Sequence, residues 1–132
     1  MAAHTTGPAA PELIDAGVDS IEHAGWLDHD AVAKLGARGG AWTPTISTAL
    51  LHLQPMIDAG HPAAPMLQRH LDGLATALGT AVAAGVVVMA GTDECAHGSV
   101  RDEAELLHQY GLTALDAVAA ASHAARRFLT AS

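Results

Sequence analysis

The chain has 132 residues, fourteen of them acidic against six basic, for a formal charge of −8. That length bounds it to one domain at most, and the excess of negative charge repels phosphate backbones, which argues against a nucleic-acid partner. One cysteine, Cys95, excludes an internal disulfide framework, and only four aromatic residues (Trp26, Trp42, Tyr110, Phe128) leave the core to Ala, Val, Leu and Ile.

Gly and Pro divide the chain into alternating segments. Met1–His4 reads as a strand cut short, and Pro8–Ala16 as a short helix with proline near its start and Gly17 just past its end. Val18–His23 is predicted as a strand. Asp28–Gly36 opens on an acidic N-cap candidate and spaces Val32 and Leu35 three apart, which is helical. After Gly39-Gly40, the β-formers Ala41–Ile46 are interrupted by Pro44, which predicts a short strand ending at a loop. Leu67, Leu71, Leu74, Leu78 and Val82 then fall at steps of four, three, four and four, an apolar stripe along one helix closed by Gly85.

Val86–Ala90 is a continuous apolar run of five, the form of a strand buried on both faces of a parallel sheet. Val100–Tyr110 and Thr113–Leu129 finish the chain as helices, the second with Leu115, Val118 and Leu129 as apolar anchors. The recurrence of strand and helix predicts an α/β fold with parallel strands, either half of an eight-stranded barrel or a small open sheet. The start of the chain lacks the basic and apolar segments of a signal peptide, and the longest apolar stretch, Ala81–Ala90, is too short for a membrane span. A cytoplasmic protein without membrane contact is the resulting expectation.

In parallel α/β folds, chemistry collects just beyond the carboxyl ends of the strands. Those positions hold His4, His23, Thr45 and Asp93. Two imidazoles and a carboxylate on one rim suit a divalent metal, zinc above all, because imidazole nitrogen and carboxylate oxygen both ligate such ions. Each residue has a plainer alternative: a histidine is more often solvated or simply hydrogen-bonded, and Asp93 after a strand is a natural cap for the next segment. Position at a strand end favours the site role for His23, and the apolar run plus Gly91 favours it for Asp93. Glu22 and Glu94 adjoin these residues, but neighbours on a strand face opposite ways, which makes them structural. His97 follows on the last strand-end loop, as either a substrate contact or plain surface. Cys95 has no adjacent basic residue to activate it, and His52, His61, His70, His108 and His123 lie away from strand ends.

The segments AAHTTG…AGVDSIEHAGWLD, AWTPTIS and AAGVVVMAGTDECAHGSVRDEAELLHQYGLTALDAVAAASHAARRFL together resemble the imidazolonepropionase-like and Xaa-Pro-dipeptidase-like branch of the amidohydrolase superfamily. The similarity is weakest over Leu50–Ala64. It implies a partial (β/α)8 TIM-type barrel, with residues 1–132 forming strands five to eight and their helices. It further implies that His4 and His23 are the metal-binding histidines of strands five and six. Asp93 becomes the metal ligand and general base of strand eight and His97 a contact to a small-molecule substrate; Thr45, from its strand-end position, is expected to border the same substrate. The activity implied is hydrolysis of a C–N bond in an amide, cyclic amide or dipeptide by a metal-activated water, with Asp93 passing a proton to the leaving nitrogen.

The family's His-x-His pair on strand one and its bridging lysine or glutamate on strand four have no counterpart here, and Lys34 lies between the strands matched to six and seven. A fragment of a larger enzyme is therefore one expectation, and an inactive remnant or a subunit needing a partner half-barrel is the other. A half barrel exposes two strand edges, which predicts pairing with a second copy or with a complementary half. An unrelated small α/β binding domain is a third alternative, and it predicts that His4, His23 and Asp93 stand farther apart than the roughly 3–5 Å of a shared metal shell.

Overall fold

The computed structural model describes residues 1–5, 8–23, 27–93 and 99–131. In chain order it forms β1 (Ala2–Thr5), α1 (Ala10–Asp15), β2 (Ser20–His23), α2 (His29–Ala37) and β3 (Ala41–Thr43). There follow α3 (Ile46–Asp58), α4 (Ala64–Ala83), β4 (Val87–Val88), α5 (Val100–Gln109), α6 (Ala114–Ala120) and α7 (His123–Thr130). The strands make one sheet in the order β1-β2-β3-β4, every neighbour parallel. Parallel neighbours need a crossover between them, and the intervening helices supply it.

Register explains where the core lies. Ala3, Ile21, Trp42 and Val88 fall in one row across the sheet. Ile21 and Trp42 are fully buried, in one apolar cluster with Ile14 of α1, Val32 and Leu35 of α2, Leu71, Leu74 and Leu78 of α4, and Leu107 of α5. Side chains alternate along a strand, so the next row, His4, Glu22 and Thr43, takes the opposite face. The helices pack closely because they are rich in small residues. A Cβ placed on Gly36 of α2 would lie 2.0 Å from the carbonyl oxygen of Ala84, just past α4. Arg38 ties the layer together from below, donating to the carbonyls of Ile14 and Val18 at 2.6 and 2.8 Å.

The α/β class, the parallel order and most elements follow the sequence pattern, and Asp28 caps α2 by accepting from the Ala31 amide at 2.7 Å. Four expectations change. The predicted helix Thr113–Leu129 is two helices, broken at Ala121–Ser122, where the Ser122 hydroxyl bonds back to the Val118 carbonyl at 2.6 Å. Its expected anchors Leu115, Val118 and Leu129 are 84%, 63% and 72% exposed, while Ala117 and Ala120 are buried. Alanine wins that face because its small side chain lets α6 approach the sheet end, where the Ala90 amide donates to the Ala120 carbonyl at 3.0 Å. The stripe on α4 likewise ends on buried Leu78 and Ala81, and Val82 faces solvent. Finally, α3 begins at Ile46 almost directly after β3, in place of a loop. Among the described residues no helix is long and apolar enough to cross a membrane.

Candidate functional site

β1, β2 and β3 bring His4, His23 and Thr45 to the carboxyl rim of the sheet, and the exit from β4 brings Asp93 there. His23 Nε2 lies 2.9 Å from His4 Nδ1, and the rings meet edge to face with centroids 4.3 Å apart. The other ring nitrogen of His23, Nδ1, shares a 2.6 Å hydrogen bond with Thr45 Oγ1. Asp93 Oδ2 stands 3.6 Å from His23 Nε2. His23 is thus the hub, with one nitrogen held by a hydroxyl and the other turned toward a second imidazole and a carboxylate. His97 and Cys95 lie outside the described residues.

Backbone geometry sets these residues apart. The non-glycine residues with positive φ among the described residues are His23 (67°), Thr45 (49°) and Asp93 (56°). A left-handed conformation costs a residue with a Cβ roughly 1–2 kcal/mol, and such strain concentrates at functional sites because surrounding structure must enforce it. The turn at His23 ends strand alternation, which is how its ring meets His4 in the row of Glu22. Glu22 itself accepts from the Ser20 hydroxyl at 3.0 Å, as a structural residue would.

The enforcing contacts can be named. The Trp42 indole donates to the His23 carbonyl at 2.8 Å. The Thr48 hydroxyl, on the first turn of α3, donates to the Thr92 carbonyl just before Asp93. Gly91 lets the exit from β4 pass the end of β3, since a Cβ there would stand 2.7 Å from the Thr43 methyl. Glu103 of α5 is fully buried, and its two carboxylate oxygens accept from the amides of Ile46 and Ser47 at 2.7 and 2.8 Å. Sequence pattern alone passes over Glu103, yet a signal was present: it lies four residues before buried Leu107, on the apolar face of its helix.

Burial pushes the His23 pKa below its ordinary value, and the neighbouring His4 adds to that effect. Asp93 and Glu22 oppose it less strongly. A neutral imidazole is the ligating form, so the hub is held in the state that metal binding requires.

Two of the donor spacings at the rim can be compared with those around a divalent ion. Ligand atoms on a tetrahedral ion with bonds of about 2.0 Å stand about 3.3 Å apart, close to the 2.9 and 3.6 Å found at His23. Among the described residues no group of three or more such side chains closes into a ready-made cage, so the three donors form a chain through His23. At the opposite ends of the strands a crevice of about 540 Å³ lies between Met1, Asp19, Gly40 and Phe128. It holds none of the rim residues, and the guanidinium of Arg38 on its wall is already engaged.

Against known proteins, the chain is similar over 96% of its length to a crystal structure of the Aspergillus niger ochratoxinase, with a TM-score of 0.81 and 27% identity. Its structural neighbours are amidohydrolase-type folds. A second is a Xaa-Pro dipeptidase with methionine bound in its active site, matched over 98% of this chain with a TM-score of 0.79 and 26% identity. The chain covers 29% and 33% of those two proteins. Uncharacterized proteins of Mycobacterium tuberculosis and Mycobacterium bovis are 38% identical over 130 residues, 92% of this chain. The chain spans about a third of the length of these curated relatives, 34%. No protein-family model matches it.

Proposed function

We propose that this chain is the C-terminal half of an amidohydrolase barrel, contributing strands five to eight, and that it serves metal-dependent hydrolysis of a C–N bond in an amide, cyclic amide or dipeptide. The observation that carries this reading is the convergence of His4, His23 and Asp93 on the carboxyl rim at 2.9 and 3.6 Å from one ring nitrogen. Neighbours of the amidohydrolase type support the same class of reaction.

In this reading His4, His23 and Asp93 hold a divalent cation, zinc being the expected one. When bound, that cation polarises a substrate carbonyl and lowers the pKa of water toward about 7. His23 contributes through Nε2, and Thr45 Oγ1 accepts its Nδ1–H, which fixes the tautomer and aims the lone pair. Asp93, with a half-exposed side chain, is suited to take a proton from water and return it to a leaving nitrogen. Thr45 borders the space a substrate would occupy, and the family resemblance adds His97 as a substrate contact.

A second reading is favoured by the extent of the matches, about a third of each protein. The remaining barrel strands, and with them further ligands, come from elsewhere in a longer polypeptide, from a complementary half, or from a second copy pairing along β1 and β4. In that case the isolated chain is a catalytically silent half.

Bound-metal analysis of the purified chain separates these. A single stoichiometric zinc that is lost in His23→Ala supports a site held by this chain. Absence of bound zinc at neutral pH after incubation with excess Zn2+ would sink the first reading for the isolated chain. Light scattering on the same sample reports whether two copies pair.

A further inference from the structure

We propose that Glu103 is a positioning residue of the rim, acting through the first turn of α3 to hold both His23 and Asp93 in their left-handed conformations. The inference rests on the reading of those two residues as the site, and it concerns how the chain builds them.

Thr45 occupies the N-cap position of α3, a 13-residue helix, but makes no capping hydrogen bond with its side chain. Threonine there ordinarily accepts from an amide of the first turn. Here its hydroxyl is turned the other way, to His23 Nδ1 at 2.6 Å. Glu103 caps the turn instead, accepting from the Ser47 amide that a threonine cap could have taken and from the Ile46 amide before it, out of a helix 56 to 57 residues further along the chain. A carboxylate suits the positive end of a helix, and two charge-assisted bonds secure a group that would otherwise be costly to bury.

The same turn has two outward contacts. Thr45 grips the ring of His23, and Thr48 grips the carbonyl that precedes Asp93. One bracket therefore aims both residues, and Glu103 is what fastens it to the core.

Glu103→Gln keeps size and shape but sets an N–H donor against one of the two amides. In the metal-free protein, long-range ¹⁵N NMR of labelled histidine should show wild-type His23 protonated on Nδ1. In Glu103→Gln it should show a mixture of tautomers, together with displaced Ile46 and Ser47 amide signals. Thr45→Val should give the same His23 mixture while leaving those two amides near their wild-type positions. Glu103→Asp, which retains the charge, should recover part of the wild-type tautomer.

With Zn2+ as the probe, Glu103→Gln and Thr45→Val should each weaken binding roughly tenfold. The double variant should be no worse than Glu103→Gln alone, because the Thr45–His23 hydrogen bond is one of the contacts through which Glu103 acts. A folded Glu103→Gln protein with an unaltered His23 tautomer would overturn the inference, as would additive losses in the double variant. If Glu103→Gln does not fold, Glu103→Asp carries the test, and a wild-type tautomer in it with displaced Ile46 and Ser47 amides counts against the inference. Wild-type protein that binds no Zn2+ refutes the proposed activity of the isolated chain and leaves the tautomer result to decide the role of Glu103.

Discussion

Trp42→Phe should destabilise the chain by about 2–4 kcal/mol, the sum of two effects at one buried ring. The indole is fully buried and its Nε1 donates to the His23 carbonyl at 2.8 Å. Removing the donor while the carbonyl stays dry costs about 1–3 kcal/mol. The smaller ring leaves a void of about 40 Å³, and at about 24 cal/mol per Å³ of unrelaxed cavity that adds about 1 kcal/mol. For a domain of this length each kcal/mol lowers Tm by about 4 °C, so the melt should shift by about 8–16 °C. Guanidinium unfolding followed by far-UV circular dichroism measures the loss directly. A loss under about 0.5 kcal/mol, the scale of an ordinary surface substitution, would show that the carbonyl is hydrated. The indole would then not be what holds the left-handed backbone at His23.

Gly36→Ala puts a methyl 2.0 Å from the Ala84 carbonyl oxygen, so α2 and α4 must separate; a loss of about 2 kcal/mol or more is expected by denaturant unfolding, as for other overpacked cores. Leu115→Gln should change stability by less than about 0.5 kcal/mol, since Leu115 is 84% exposed; a large loss would restore it as an anchor. His23 has a folded pKa below its unfolded value near 6.5, so between the two the unfolded chain binds more protons. Its effect on stability is therefore absent above pH 6.5 and becomes a penalty as pH falls through that window. Urea midpoints measured from pH 8 to pH 5 should show the decline, and His23→Gln should flatten it.

The parts of the fold legible in the sequence are those where one residue type has one physical use. Val86–Ala90 between glycines could only be a buried strand region, although just Val87 and Val88 pair in the ladder. His23 and Asp93 stand out in the sequence because strand ends collect chemistry in parallel sheets, and the structure brings their side chains to 3.6 Å. The last helices were misjudged because hydropathy ranks leucine above alanine, whereas close helix packing at Ala117 and Ala120 rewards the smaller side chain. Glu103 was hidden for another reason: its partners are backbone amides far away in sequence, and no side-chain pattern records a backbone donor. Thr45 was read as a substrate contact from its position alone, and its hydrogen bond to His23 adds a role that spacing does not reveal.

The left-handed trio has a consequence for anyone improving this protein. Glycine adopts positive φ freely, so Asp93→Gly, at a half-exposed side chain, should be tolerated or even raise stability by about 1 kcal/mol. A selection that scores only survival on heating would thus accept the loss of the residue on which the proposed chemistry turns, and would register progress as it did so. Run in parallel with a selection for Zn2+ retention, it becomes a map: positions where the two diverge mark the working rim, with no substrate in hand.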